Sequence, residues 1–316
     1  MIDKIRTYFM GSGKIAVPVL NALLTAKNIE LLGIGTQLDQ PAGRKKQLRP
    51  TPVGQFAAEN QLDVDKIESV KDPDFMEKMR ALKLDFIVVV SFGQILRQEL
   101  LDIPAECCLN VHASTLPKYR GASPISSAIL NGDAETGIAF MKMDKGLDTG
   151  DVYQIFTIPL EGNENAETLE DDLGELAAVN IAEVLESIQS GKLSPCKQDD
   201  SQATLTGKVK KNDGKIDWNY PAWKICAMAR AYYPWPGCFF NLQGKKGQIK
   251  VNITEARCAE GLSGNAGEIL QADKKALIIA CGEGALEVVK LVPQGKKEMS
   301  GPAFLNGHRL STGTKI

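Results

Sequence analysis

At 316 residues the chain exceeds what one core ordinarily fills, so two domains are expected. With 43% hydrophobic residues, no biased tract and no apolar run approaching ~18 residues, the composition excludes a disordered chain and a membrane-spanning helix. The net charge of −2 hides a division: residues 208–316 hold 17 Lys+Arg against 9 Asp+Glu, giving +8, which leaves −10 on residues 1–207. A small basic module joined to an acidic one points to a polyanionic partner for the C-terminal part. Seven cysteines form no CxxC pair, Cys107 and Cys108 adjoin, and no secretory leader precedes them. The expectation is reduced thiols in a soluble, cytoplasmic protein.

In chain order, Arg6–Met10 reads as a short buried strand and Gly11-Ser12-Gly13 as a tight turn, followed by an apolar-faced helix over 14–26. Residues 30–35 form a second strand, and 52–60 and 72–83 are helices, the latter opened by Asp72-Pro73. Phe86–Val90 is an apolar, β-branched run of the kind covered on both faces. Leu109–His112 is the next strand, Ser123–Asn131 a helix, Gly137–Met143 a strand, and Thr168 to about Ser190 a helix. Strands alternating with helices predict a Rossmann-like α/β domain, residues 1–190, with a mostly parallel sheet covered by helices on both faces. The polar, aperiodic stretch 191–207 is expected to be a linker. Beyond it lie a helix at Ala222–Ala231 and short alternating segments at 248–254, 267–271, 276–281 and 285–292, which predict a small antiparallel barrel over residues 208–316.

Four stretches carry the chemistry. Gly11–Ala16 fits G-x-G-x-x-[G/A] after a strand, which read literally is a dinucleotide fingerprint and makes a dehydrogenase one alternative. The acidic residue that fingerprint needs at the end of the second strand is missing, and Lys14 puts a cation where the helix dipole is already positive. Residues 39–52 place Arg44, Lys45, Lys46 and Arg49 among prolines and glycines, a flexible basic loop suited to phosphate. Asn110 and His112, two apart on a strand, share a face, and an amide with an imidazole can hold an oxyanion and move a proton. Gly146–Asp151 offers that imidazole a carboxylate, with Asp144, Asp148 and Asp151 all in reach of the role. Tyr232–Gly237 reads as a packing corner rather than a base-stacking platform, and His308 as a surface residue.

Together, Gln40-Pro-Ala-Gly-Arg44, Asn110-Val-His-Ala-Ser-Thr-Leu-Pro-Lys-Tyr-Arg-Gly-Ala122, Gly146-Leu-Asp-Thr-Gly-Asp151 and Pro234-Trp-Pro-Gly237 resemble the 10-formyltetrahydrofolate-dependent formyltransferases over nearly the whole chain. The resemblance implies a catalytic trio of Asn110, His112 and Asp148, which singles out one of the three carboxylates. It puts a folate-binding segment on Ser114, Thr115, Leu116 and Pro117, with Gly93 and Leu96 lining the pterin pocket. Thr115 stands where the family has leucine, and Arg97 where it commonly has proline. The P-A-G-R loop and the basic C-terminal barrel (taken as OB-like) match the branch acting on tRNA. Initiator methionyl-tRNA is then the acceptor, met by Arg44, Lys45, Lys46, Arg49, Lys208, Lys210 and Lys211. The implied co-substrate is 10-formyltetrahydrofolate, with no metal needed, and two unlike domains suit a monomer. An amino-sugar formyltransferase is the nearest alternative within the fold, and a non-catalytic RNA-binding protein the alternative from another class.

Overall fold

A computed structural model describes residues 4–42, 47–244, 247–308 and 310–316. The chain divides into two compact units, one of residues 1–124, 135–159 and 170–206, the other of 125–134, 160–169 and 207–316. Chain order begins with β1 (Ile5–Gly11), α1 (Ala16–Thr25), β2 (Ile29–Gln37), the antiparallel pair β3 (Gln40–Ala42) and β4 (Gln47–Arg49), α2 (Pro52–Glu59) and β5 (Asp65–Ile67). It continues through α3 (Pro73–Ala81), β6 (Phe86–Val90), α4 (Gln98–Leu101), β7 (Cys107–His112), β8 (Arg120–Gly121), α5 (Pro124–Asn131), β9 (Glu135–Lys142), β10 (Val152–Pro159), α6 (Ala166–Gln189) and β11 (Leu205–Thr206).

The first unit is built on a sheet of order β10-β9-β7-β6-β1-β2-β5. It is parallel from β7 through β5, and β9 and β10 extend it antiparallel. Every residue of β6 and β7 is buried, as their apolar runs require. One face closes over Tyr8, Met10, Ile87 and Val89 with Met79 of α3 and Leu100 of α4; each such side chain contributes about 1.5–3 kcal/mol. The helix starts follow local chemistry. Asp72 accepts from the amides of Asp74 and Phe75 with Pro73 in the first turn, and Thr51 accepts from Gly54 N ahead of α2.

Three features differ from the sequence expectation. An eight-residue edge strand, β10, follows the Gly146–Asp151 turn, with Gln154, Ile155, Thr157 and Pro159 exposed. Residues 191–206 are no linker: they belong to the first unit, where β11 pairs with β8 and Cys196 pairs with Val152. Segment 125–134, which holds most of α5, and segment 160–169 belong to the second unit.

The second unit continues with α7 (Ala222–Ala231), β12 (Cys238–Gly244), β13 (Gly247–Ala259), β14 (Ile269–Ala272), β15 (Leu277–Ala280), β16 (Ala285–Pro293), β17 (Met299–Ser300) and α8 (Gly301–Leu305). Its antiparallel sheet runs β12-β13-β16-β15-β14, with β17 added to β16, and curls as a half-barrel. Ile225 and Met228 of α7 fill it against Phe240, Val251, Leu286 and Leu291. Among the described residues no helix is long and apolar enough to cross a membrane.

Candidate active site

The period of two along β7 puts Cys108, Asn110 and His112 on one face of the sheet. Cys108 goes into the core beside Leu100, while Asn110 and His112 lie further along the strand. The turn after β9 folds back to them. Asp148 occupies its tip with φ +53°, and Gly150 lies so close to the Lys142 carbonyl that a Cβ would sit 1.8 Å from that oxygen.

Asp148 is the centre of the constellation. Its Oδ2 accepts from the Gly121 amide at 2.7 Å and lies 3.7 Å from His112 Nδ1, and its Oδ1 lies 3.5 Å from Asn110 Nδ2. His112, 7% exposed, turns Nε2 to the Tyr119 carbonyl at 3.0 Å. A carbonyl only accepts, so Nε2 carries a proton there, and Nδ1 faces the Asp148 carboxylate. Tyr119 reaches the ring from a left-handed backbone, φ +60°, of the kind that costs about 1–3 kcal/mol and persists where its surroundings hold it.

Of the two rival carboxylates, Asp144 accepts from Gly146 N and Thr149 Oγ1 inside the turn; Asp151 takes part through its backbone carbonyl, which accepts from Lys142 N. A buried amide fixes the turn from behind. Gln198 Nε2 donates to the carbonyls of Asp148 (2.9 Å) and Gly150 (2.6 Å), and its Oε1 accepts from Arg120 Nε and Nη2. Arg120, itself buried, completes its bonding with Asp200 at 2.8 Å. Neither Gln198 nor Arg120 was singled out by sequence reasoning; the only signal was an arginine inside the Asn110–Ala122 motif.

The glycine-rich turn at the start of α1 is closed to a dinucleotide. Glu170 Oε1 already accepts from Ile15 N at 3.2 Å, and Lys14 pairs with Asp171 at 2.8 Å. A carboxylate of the protein thus sits where a pyrophosphate would.

The formyl transferase family model matches residues 4–185, and the formyl transferase C-terminal domain model matches 208–309. The chain belongs to the formyl transferase family. This formyl transferase is 39% identical to the methionyl-tRNA formyltransferase of Geobacter sulfurreducens, over 99% of its own length and 96% of that protein's. It is likewise 39% identical to the enzyme of that name from Caldanaerobacter subterraneus, covering 98% and 99%. Among solved structures it resembles a methionyl-tRNA formyltransferase from Clostridium thermocellum, with TM-score 0.52 and 19% identity over 82% of this chain and 95% of that one. It also resembles the sugar 3N-formyl transferase WlaRD, with TM-score 0.65 and 17% identity over 94% and 100%, a likeness of fold.

The remaining expected site residues of this formyl transferase fall into three groups. Gly93 is exposed, and Thr115 and Pro117 are half-buried, so each presents surface to a ligand. Ser114 is fully buried with its hydroxyl donating to the Lys118 carbonyl at 2.6 Å; Leu116 packs against Ala139, Met141 and Val152, and Leu96 packs with Leu100 and Phe92. Those three side chains support the loops from within instead of lining an open wall. Two large apolar side chains that the sequence reading passed over are exposed: Ile95, at 82%, on the loop after β6, and Leu147 on the Asp148 turn.

Arg49, Lys208, Lys210 and Lys211 are exposed, while Arg44, Lys45 and Lys46 lie outside the described residues. The Tyr232–Gly237 corner is only partly a packing element. Tyr232 packs on the second unit's core, but Trp235 is 60% exposed and Tyr233 is also open. Beside it, Lys250 donates to the Pro236 carbonyl and covers the Phe239 ring at 3.7 Å. Burial and then the nearby Lys211 charge hold the Lys250 ammonium below the ordinary lysine range. His308 is half-buried and stacks on Phe304.

Proposed function

We propose that the enzyme transfers a formyl group from 10-formyltetrahydrofolate to the α-amine of initiator methionyl-tRNA. The observation that carries the reading is the meeting of Asn110, His112 and Asp148 on one sheet face, within a chain similar over nearly its full length to enzymes named for that reaction. The folate supplies the formyl group. A planar heterocycle suits the loop surface left by Gly93, Ile95, Thr115, Pro117 and Leu147, which is apolar where exposed.

When the amine attacks, negative charge grows on the formyl oxygen. Asn110 Nδ2 spends one N–H on Asp148 and has a second to give that oxygen. His112 does not supply the second oxyanion donor expected from sequence, because Nε2 is committed to Tyr119 and Nδ1 faces Asp148. Its role is proton handling. The His112–Asp148 pair takes the proton that the amine sheds and returns it to the departing folate nitrogen, while Gly121 N keeps the carboxylate aimed. The acceptor is held through phosphate by Arg44, Lys45, Lys46 and Arg49 and by Lys208, Lys210 and Lys211, with the exposed Trp235, next in sequence to the Pro236 whose carbonyl Lys250 meets, offering a stacking surface.

The test is formyl transfer from 10-formyltetrahydrofolate to methionyl-tRNA, set beside a nucleotide-linked amino sugar as acceptor. Transfer to the sugar alone would overturn the choice of acceptor. Asn110→Ala and His112→Ala should each lower kcat on the order of 10²–10³ while leaving KM for tRNA within a few-fold. Normal turnover in either would remove that residue from the mechanism.

A further inference from the structure

The second unit holds a pair of thiols that formyl transfer does not use. Cys226 lies in α7 and Cys258 near the end of β13, 32 positions apart, and their sulfurs are 3.9 Å from each other. Ala256 and Cys258, two apart on the strand, share the sheet face that α7 covers; Ala256 and Cys226 both pack on the core there. Closing the gap to a disulfide bond of about 2.0 Å asks for less than ~2 Å of combined side-chain movement.

The other thiols are placed differently. Cys238 and Cys281 are buried, each donating to a backbone carbonyl, Ile225 and Ile279 respectively. In the first unit Cys107 and Cys108 are buried and Cys196 is exposed. The pair also differs within itself, since Cys258 is exposed and Cys226 only partly so.

We propose that Cys226 and Cys258 form a reversible thiol–disulfide site that takes a small-molecule disulfide as its oxidant. The thiolate of Cys258 attacks one sulfur of the incoming disulfide, whose S–S bond breaks. One half leaves with the electron pair and gains a proton, and the other half stays bonded to Cys258. Cys226, once deprotonated, attacks Cys258 Sγ, expels the second half as a thiol and completes the bond. Two protein thiols thereby give two electrons and two protons to a disulfide that becomes two thiols. Accessibility sets the order of attack. Burial, then the adjoining Cys258, pushes the Cys226 thiol up to about 12, with Arg230 one helical turn on pulling the other way. Cys258 is therefore the entry thiol and Cys226 the resolving one. The finished bond ties α7 to β13.

The test uses the full chain and needs no formyl-transfer assay, so its outcome is separate from that of the proposed function. Protein treated with glutathione disulfide is denatured, blocked with N-ethylmaleimide and mapped by mass. Of the seven thiols alkylated in the reduced chain, the four buried ones should remain reactive and exposed Cys196 should carry at most a glutathione adduct, with the peptides of Cys226 and Cys258 joined to each other and freed again by dithiothreitol. Cys226→Ala should stop at a stable glutathione adduct on Cys258, and Cys258→Ala should give neither adduct nor bond at this site. Matched melting curves in reductant show that both variants fold. Wild-type protein in which both cysteines stay alkylatable, or in which the adduct on Cys258 never resolves, would overturn the proposal.

Discussion

Gln198 shows how much a single buried side chain can organise. It is 7% exposed, yet all of its bonding capacity is used: two donations to the carbonyls of the Asp148 turn and two acceptances from Arg120. Replacing it with Leu leaves two loop carbonyls without their donor and leaves the guanidinium with Asp200 alone, and an unsatisfied buried group costs about 1–3 kcal/mol. Gln198→Leu should therefore lower unfolding free energy by roughly that amount in a urea titration, and should lower kcat more than KM for the folate. Gln198→Glu keeps acceptors for Arg120 but has no N–H for the turn, so it should recover stability better than turnover. Wild-type melting and wild-type turnover in Gln198→Leu would refute this role. The same residue explains what the sequence hid. Hydropathy patterning reads a polar side chain as solvated, so a stretch whose buried residue is a glutamine looked like a linker. Ser114, Leu96 and Leu116 show the converse: a motif marks residues whose side chains are buried within the loops.

At the scale of elements, the turn between β9 and β10 decides whether the site exists. It returns Asp148 to β7 through a left-handed residue and a glycine with no room for a side chain. Gly150→Ala must push the Lys142 carbonyl aside and disturb the Lys142 N to Asp151 O bond of 2.8 Å. The expected result is a folded protein by circular dichroism, with a lowered Tm and turnover reduced at least as far as in His112→Ala. Gly207→Ala, at a glycine with nothing within 4 Å, is the matched control and should change neither quantity. If Gly150→Ala behaved like Gly207→Ala, the turn would not be what positions the carboxylate. The elements that carry the site were legible beforehand: β6 and β7 from their apolar runs, α3 from its Asp72 cap and Pro73. β10 and β12 were not. β10 is an edge strand whose outward residues are half polar, and β12 begins directly after the Pro236-Gly237 corner, whose turn residues mask the strand start.

For the whole molecule, the charge division is the property with the widest consequence. A first part near −10 and a C-terminal part near +8 cannot be inferred from the overall −2, and they put the electrostatic attraction for a polyanion on the latter and on the basic residues around Arg49. Each lysine or arginine that neutralises a tRNA phosphate releases condensed counterions, so affinity falls as a power of salt concentration with an exponent of roughly 0.7–0.9 per contact. The loop surface proposed for the folate exposes the apolar Ile95 and Leu147, so folate binding should have a much shallower dependence. Raising salt from about 50 to about 200 mM should therefore increase KM for tRNA by an order of magnitude or more and leave KM for the folate within a few-fold. Arg44→Ala and Lys211→Glu should each raise KM for tRNA and flatten its slope against log salt, by about one contact for the first. Lys211→Glu bears on Lys250 as well: removing the like charge relieves that ammonium, and the new carboxylate repels phosphate where Lys250 and Trp235 lie. Equal salt slopes for tRNA and folate would detach the basic unit from acceptor binding, and an unchanged slope in Lys211→Glu would move the phosphate contact elsewhere on that unit.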